Sequence, residues 1–150
     1  MPTVSASRVS TEFVSELIAN VSTLCIQPQL VGFLANDDPA AKMYADWTAK
    51  TCVETGIKFT LVNCSKFELE DLLVGANADE NVHGIMVYYP VFGGNQDQYL
   101  QNTVDISKDV EGLCHTYRYN MYHNIRVLGE GASERKCIIP CTPLVHFLLT

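Results

Sequence analysis

The regular alternation of short apolar runs with stretches of helical periodicity constrains the fold of this chain more than any other feature. Three apolar runs have the length of buried strands and end at turn-forming residues: QLVGFLA (29–35), IKFTLVNC (57–64) and GIMVYYP (84–90). Apolar residues at helical spacing fill the segments around them, over residues 7–24, 39–55, 67–74 and 95–102. Such alternation indicates βαβ units. We therefore predict an α/β fold, a three-layer α-β-α arrangement with a mainly parallel sheet.

Local signals mark the ends of the second predicted helix. Asp38 followed by Pro39 has the pattern of an N-cap and a first helical residue, and Gly56 has that of a C-terminal stop. After His115 the sequence is rich in Tyr and Asn. There we predict only one short strand, near residues 136–139.

Length and charge exclude several classes of protein. A chain of 150 residues suits one domain, which we place at residues 1–150. Its net charge is −7, and its 10 basic residues are scattered, so we expect no nucleic-acid partner. No apolar run approaches the roughly 18 residues of a membrane span, so we expect no membrane partner either. The first residues lack the pattern of a secretory signal, which favours a cytoplasmic location.

The six cysteines form no C-x-x-C pair, and most lie within apolar stretches. We interpret them as small buried hydrophobic residues in a reducing compartment. A zinc site assembled from Cys114, His115, His123 and Cys137 is an alternative, but its spacing fits no standard ligand pattern. We therefore expect no metal.

Ligands of parallel sheets bind beyond the carboxyl ends of the strands, and the first candidate site residues lie there. Tyr44 and Thr48 are four residues apart on the second helix and share one face, whereas Lys50 lies on another side. Tyr44 would offer a ring for stacking and a hydroxyl for hydrogen bonding. The alternative is an ordinary half-buried tyrosine.

Two carboxylates in Lys108-Asp109-Val-Glu111-Gly112 form the second candidate. Residues two apart in an extended segment face the same way, so Asp109 and Glu111 could line one pocket and anchor an N–H-bearing heterocycle. A solvated acidic turn is the alternative.

The third candidate is Cys141. Thr142 and Pro143 have the pattern of an N-cap and a first helical residue, and we expect a helix there that continues through PLVHFLLT. Cys141 would then lie at a helix N-terminus, where the dipole lowers the pKa of a thiol. Both a nucleophile and a buried spectator remain open.

The sequence carries no nucleotide-binding loop. Neither G-x-G-x-x-G nor G-x-x-x-x-G-K-[ST] occurs, and Gly93-Gly94 is a two-glycine turn only. We therefore expect no phosphate cradle within these 150 residues.

Taken together, the segments resemble the N-terminal catalytic domain of the methylenetetrahydrofolate dehydrogenase/cyclohydrolase family. The resemblance implies an amino-acid-dehydrogenase-like N-terminal domain. Its specificity comes from an ordered set of matches along nearly the whole chain: VGFLANDDPAAKMYADWTAK (31–50), Gly56-Ile57, HGIMVYYPV (83–91), KDVEGL (108–113) and PCTP (140–143).

Three departures from the family pattern point to one branch of it. Bifunctional members carry a lysine where this chain has Thr48, a glutamine where it has Tyr88, and Asp-Val-Asp-Gly where it has Asp109-Val-Glu111-Gly112. In the family the lysine and the glutamine serve the cyclohydrolase step. Their replacement resembles the monofunctional NAD-dependent enzyme of yeasts, which oxidises methylenetetrahydrofolate without hydrolysing the product.

The resemblance implies an oxidoreductase that transfers hydride from 5,10-methylenetetrahydrofolate to NAD and gives 5,10-methenyltetrahydrofolate. Tyr44 would pack on the ring system of the substrate, and Cys141 would lie near the reacting centre. Glu111, with Asp109 as the alternative, would hold the edge of the pterin. The other substrate-binding positions that it implies are Thr48, Tyr88 and Pro90.

Family members continue into a Rossmann domain that holds the dinucleotide. We expect that domain to be absent from these 150 residues, in which only Thr142 would contact the cofactor. Because family members dimerise, a homodimer is one expectation. A stand-alone α/β module that binds folate without catalysis is the alternative function, and a cyclohydrolase is a third.

Overall fold

The computed structural model describes residues 6–129 and 134–141. Their elements follow in the order α1 (Ala6–Ser22), β1 (Gln29–Leu34), α2 (Pro39–Thr55), β2 (Lys58–Asn63), α3 (Leu69–Ala78), β3 (Gly84–Val87), α4 (Asn95–Thr103), α5 (His115–Tyr122), β4 (Val127–Leu128) and β5 (Arg135–Lys136). The three predicted strands and the four predicted helices are all present. None of the helices in the described residues is long and apolar enough to cross a membrane.

The main sheet is parallel, with the strand order β2-β1-β3. β1 lies in the centre, where Gln29 to Leu34 pair with Lys58 to Asn63 of β2 on one side. On its other side Leu30 to Phe33 pair with Gly84 to Val87 of β3. Because all three strands point the same way, their carboxyl ends meet at one edge of the sheet, as predicted.

Helices cover both faces of this sheet, which confirms the three-layer α-β-α arrangement. On one face the apolar side chains of β1 pack with α3 and α4 in a core that includes Phe33, Leu69, Leu73, Ile85 and Leu100. On the other face Leu34 packs with Ala41 and Ala45 of α2 and with Tyr88. α1 lies against α2. The central strand is apolar on both faces because both are covered.

The ends of α2 are set by the residues that the sequence indicated. The carboxylate of Asp38 accepts a hydrogen bond from the N–H of Ala40, and Pro39 is the first helical residue. Gly56 ends the helix with φ +79°, a conformation that glycine adopts without steric cost. Because Asp38 starts the helix soon after β1 ends, the first turns of α2 lie at the carboxyl edge of the sheet.

The region after residue 114 differs from the prediction. α5 was not predicted, because its sequence, HTYRYNMY, has no apolar stripe. Tertiary contacts hold it, since the N–H of His115 bonds to the amide oxygen of Asn102 and the Tyr117 hydroxyl bonds to the carbonyl of Ile106. The strand predicted near residues 136–139 lies at Arg135–Lys136, where it pairs antiparallel with β4 apart from the main sheet. The helix expected from Thr142 lies outside the described residues.

Candidate active site

A cleft of about 310 Å³ lies at the carboxyl edge of the sheet, between the start of α2 and the end of β3. Its lining consists of Asp38, Ala40, Ala41, Tyr44, Val87, Tyr88, Tyr89, Glu111 and Leu113. The side-chain amide of Asn36 donates hydrogen bonds to the carbonyls of Tyr88 and Pro90, at 2.8 and 3.0 Å. These bonds tie the segment after β1 to the segment after β3, and so hold the two walls of the cleft together.

Tyr44 stands on the α2 wall with its side chain half exposed, at 54%. Its ring meets that of Tyr88 edge to face, with the ring centroids 5.7 Å apart. Burial raises the pKa of Tyr44, and the charges of Cys141 and Glu111 add to that shift. The fold therefore brings Tyr44, Cys141 and Glu111, three residues from distant parts of the chain, into one neighbourhood.

Thr48 and Lys50 have separate surroundings on α2. The Thr48 hydroxyl donates a hydrogen bond to the carbonyl of Tyr44, at 2.9 Å within its own helix. The ammonium of Lys50 lies 4.0 Å from the carboxylate of Glu54 on the exposed surface. Lys50 thus faces solvent, away from the cleft, as its position in the sequence indicated.

Glu111 supplies the carboxylate of the cleft. One of its oxygens accepts a hydrogen bond from the N–H of Val87, at 3.1 Å. Burial raises the pKa of Glu111 to about 7, against the lowering effect of the Val87 bond, and the charge of Asp109 adds to the rise. The carboxyl can therefore be neutral or charged near neutral pH.

Asp109 has a different environment, although it is only two residues away. It is 5% exposed and is not among the residues that line the cleft. Its carboxylate accepts hydrogen bonds from the N–H groups of Glu111, Gly112 and Cys114. Since these three bonds occupy both oxygens, Asp109 shapes the turn that presents Glu111.

Tyr88 fills the space between α2 and the sheet and is 3% exposed. Gly32 of β1 makes this possible, because a Cβ there would come within 3.2 Å of the Tyr88 ring. Burial raises the pKa of Tyr88, opposed by the nearby Thr48 side chain. Its hydroxyl makes no hydrogen bond of ordinary geometry with the described residues. Tyr88 therefore forms a wall of the cleft through its ring.

The remaining sequence candidates are spread around this cleft. Pro90 is exposed, and the peptide bond between Tyr89 and Pro90 is cis. The Cys141 side chain is exposed, and Thr142 lies outside the described residues. Within residues 6–129 and 134–141, no group of three or more His, Cys, Asp or Glu side chains is placed to hold a metal ion. Cys137, one member of the alternative zinc set, accepts a hydrogen bond from Asn120.

Comparison with known proteins identifies the family. The model of the tetrahydrofolate dehydrogenase/cyclohydrolase catalytic domain matches residues 4–111, which include every element from α1 to α4 as well as Glu111. The chain belongs to this family.

Curated members of the tetrahydrofolate dehydrogenase/cyclohydrolase family are similar along most of the chain. The NAD(+) methylenetetrahydrofolate dehydrogenase of Schizosaccharomyces pombe is 56% identical over 93% of this chain and 43% of its own length. That of Saccharomyces cerevisiae is 51% identical over 95% of this chain and 46% of its own length. The chain thus spans less than half the length of these relatives.

Solved structures of the family share the fold. The NAD-dependent 5,10-methylenetetrahydrofolate dehydrogenase of Saccharomyces cerevisiae matches with a TM-score of 0.90 and 49% identity, over 96% of this chain and 47% of that chain. The bifunctional dehydrogenase/cyclohydrolase of Campylobacter jejuni matches with a TM-score of 0.79 and 27% identity, over 95% of this chain and 50% of that chain. The three-layer arrangement is therefore that of the family's catalytic domain.

The sequence patterns did not single out three residues of the site. Asn36 joins the two walls, Asp38 lines the cleft besides capping α2, and Tyr89 lines it beside Glu111. Asn36 had no distinguishing signal, because its role depends on carbonyls more than 50 residues away. Tyr89 had one weak signal, since a second tyrosine at the end of a buried strand is unusual when it only fills a core.

Proposed function

We propose that this chain is the folate-binding catalytic domain of an NAD-dependent 5,10-methylenetetrahydrofolate dehydrogenase without cyclohydrolase activity. One observation carries the proposal: the half-exposed ring of Tyr44 and the buried carboxyl of Glu111 line the same cleft at the carboxyl edge of the sheet. The names of the yeast relatives support the reaction and the use of NAD.

Glu111 and Tyr44 suit different features of a reduced folate, the hydrogen-bonding edge of its pterin and its flat aromatic part. The pterin carries N–H groups along one edge, and a carboxylate such as that of Glu111 accepts hydrogen bonds from such an edge. The free oxygen of Glu111 is available for this, since only the other one is bonded to Val87. Tyr44 offers a flat face on which an aromatic part of the substrate can stack.

The dehydrogenase reaction requires the protein to align the folate with the cofactor. NAD, held by residues outside those described, would supply the acceptor for the hydride, and Tyr44 and Glu111 would hold the folate in place while a folate nitrogen lone pair compensates the positive charge left on carbon. No proton is transferred at the reacting carbon, so no general acid or base is needed there. Tyrosine faces and the carboxyl of Glu111 suit a substrate on which positive charge develops.

Hydrolysis of the product would need an activated water, and Thr48 is poorly suited to activate one. Its hydroxyl proton is committed to the carbonyl of Tyr44, and a hydroxyl is a weak base at neutral pH. The ammonium of Lys50 lies near Glu54 on the exposed surface, and Lys50 is not among the residues that line the cleft. Glu111 would be occupied by the pterin edge. These contacts support a reaction that stops at the methenyl product.

NAD requires residues beyond those described. The described residues around the cleft show no glycine-rich phosphate-binding loop, so they do not fit the dinucleotide phosphates. We propose that a part of the protein outside them holds NAD, and that this chain presents the folate to it.

Binding of tetrahydrofolate tests the site directly. Trp47, the single tryptophan of the chain, lies three residues after Tyr44 on α2, so binding should change its fluorescence. Tyr44→Ala should weaken binding at least tenfold, since an aromatic stacking partner is lost. Tyr122→Ala, which removes an exposed tyrosine of α5, is the matched control and should leave binding unchanged. Equal affinities for wild type and Tyr44→Ala would refute the placement of the site.

Offering the protein 5,10-methenyltetrahydrofolate tests the second half of the proposal. We expect no hydrolysis above the uncatalysed rate, measured by the absorbance of the methenyl compound. Hydrolysis by the unmodified protein would show that the site activates water without a lysine at position 48.

A further inference from the structure

The side chain of Tyr88 is held from two sides at the carboxyl edge of the sheet. It is 3% exposed and packs in one cluster with Ala41 and Ala45 of α2. Its backbone is fixed as well, because its N–H donates to the carbonyl of Phe33 and its carbonyl accepts from the side-chain amide of Asn36. The sheet and α2 together therefore fix the position of the Tyr88 ring.

The ring of Tyr44 lies in much more open surroundings, since its side chain is 54% exposed. Exposed side chains change rotamer within nanoseconds unless a contact restrains them. The Tyr88 ring supplies such a contact: the two rings meet edge to face, with their centroids 5.7 Å apart and their planes at 86°. This arrangement is one that the charge distribution of aromatic rings favours, so the fixed ring attracts and orients the exposed one.

The contact depends on the ring of Tyr88 and not on a hydrogen bond of its hydroxyl. That hydroxyl is buried and has no hydrogen-bond partner of ordinary geometry among the described residues. Tyr88→Phe therefore keeps the edge-to-face pair. Tyr88→Leu stays apolar and fills part of the same space, but it removes the aromatic partner of Tyr44. These two substitutions separate the aromatic contact from the burial of an apolar side chain.

We propose that Tyr88 is a positioning residue, which holds the half-exposed ring of Tyr44 in the orientation that receives the folate. The inference rests on the proposed function, in which Tyr44 stacks on an aromatic part of the substrate. A ligand that must order a mobile aromatic side chain loses part of its affinity to the entropy of that ordering. A ring that is already held in place avoids this loss.

The orientation of Tyr44 in the protein without ligand is the first measurement. Scalar couplings and nuclear Overhauser effects in NMR spectra report whether the χ1 angle of Tyr44 has one staggered value or an average of several. We expect one rotamer in wild type and in Tyr88→Phe, and averaging between rotamers in Tyr88→Leu. Averaging in wild type overturns the proposal, as does a single unchanged rotamer in Tyr88→Leu. This measurement does not depend on which ligand the cleft binds.

Calorimetric titration with tetrahydrofolate measures the consequence for binding. Tyr88→Leu should bind about three- to tenfold more weakly than wild type, because the ligand must then order one aromatic side chain, and Tyr88→Phe should recover the affinity. In the Tyr44→Ala background Tyr88→Leu should have no further effect, because no ring is left to hold. Leu61→Ala is the matched control. Leu61 packs against the same cluster as Tyr88 but does not line the cleft, so this variant should lower thermal stability and leave the affinity unchanged.

Weaker binding by Tyr88→Leu that disappears in the Tyr44→Ala background supports the proposal. Weaker binding that persists in that background overturns it, because Tyr88 then acts on the ligand without Tyr44. Equal weakening by Tyr88→Leu and Leu61→Ala also overturns it, since a loss of packing explains both. Unchanged binding by Tyr88→Leu removes this inference and leaves the proposed function standing, whereas failure of wild-type protein to bind tetrahydrofolate overturns both.

Discussion

Glu111 and Asp109 show how strongly the surroundings of one residue decide its chemistry. The two carboxylates are two residues apart, and both are largely removed from solvent. The Asp109 carboxylate accepts hydrogen bonds from three N–H donors, whereas that of Glu111 accepts one. The nearby charge of Asp109 further favours the neutral form of Glu111. One residue therefore holds a turn, and the other is available to a ligand.

The raised pKa of Glu111 predicts how stability depends on pH. In the folded protein the carboxyl titrates at about 7, and its ordinary value is 4.5. Between these values the folded state binds the proton more tightly, so this group lowers the free energy of unfolding as pH rises. Glu111→Gln can still accept from Val87 but cannot ionise. We expect it to gain stability relative to wild type, on the order of 3 kcal/mol by pH 7.5.

Urea unfolding of both proteins at a series of pH values between 4 and 8 measures this difference. The matched control is Glu54→Gln on the exposed surface of α2, which should follow the wild-type curve closely. A stability difference between Glu111→Gln and wild type that is the same at every pH would contradict the raised pKa.

At the scale of elements, the loop that carries Glu111 is anchored at both ends. The Lys108 ammonium donates to the carbonyls of Ala76, Asn77 and Asp79 at the end of α3, at 2.9, 2.8 and 2.7 Å. The positive charge also suits the C-terminal end of a helix dipole. The backbone of Asp109 forms a parallel bridge with Ile85 of β3. Its carboxylate then accepts hydrogen bonds from the N–H groups of the turn. These contacts join the loop to α3 and to the sheet, and so fix the position of Glu111 in the cleft.

Asp109→Asn should therefore damage both the turn and the site. An amide offers one acceptor oxygen in place of two, and its NH₂ group faces N–H donors, so we expect a loss of about 2–4 kcal/mol in the free energy of unfolding. We also expect weaker tetrahydrofolate binding under conditions where the variant is folded. Asp105→Asn is the control, because within the described part of the chain its exposed carboxylate accepts hydrogen bonds from Ser107 and from none of the N–H groups of the turn that presents Glu111.

Denaturant unfolding and calorimetric titration give both quantities. For Asp105→Asn we expect a loss below about 1 kcal/mol and unchanged binding. If Asp109→Asn were as stable as wild type and bound tetrahydrofolate equally well, the positioning role of Asp109 would be wrong.

At the scale of the molecule, the two faces of the sheet have different roles. The α3 and α4 face holds the larger apolar core, and the α2 face carries the aromatic wall of the cleft. Gly32 and the small residues Ala41 and Ala45 leave room for the Tyr88 ring on the α2 face. Stability rests mainly on one face, so the other can present a half-exposed tyrosine to solvent.

Neighbouring leucines of α3 test this division. Leu73 is 0% exposed within the larger core, whereas Leu72 is 37% exposed. Leu73→Ala should cost about 2–5 kcal/mol in the free energy of unfolding, because it removes contacts and leaves a cavity. Leu72→Ala should cost at most about 1 kcal/mol. Similar losses for the two variants, measured by denaturant unfolding, would show that α3 is not packed as described.

The local sequence determined the elements that depend on neighbours along the chain. The length and apolar content of the runs predicted β1, β2 and β3. The central strand β1 is apolar on both faces because both are covered, whereas the edge strand β2 is only partly buried. Asp38, Pro39 and Gly56 predicted the ends of α2, because caps act within one turn. Tyr44 was singled out for the same reason, since its distance from the cap places it at the carboxyl edge.

Tertiary structure alone decided the features that depend on distant residues. α5 forms through bonds to Asn102 and Ile106, which its own sequence does not reveal. The different roles of Asp109 and Glu111 follow from which carboxyl meets the turn N–H groups and which meets Val87 and the cleft. The orphaned hydroxyl of Tyr89 likewise exists only once the chain is folded. Local patterns specify strands, helices and caps, whereas charge, burial and hydrogen-bond balance depend on the whole fold.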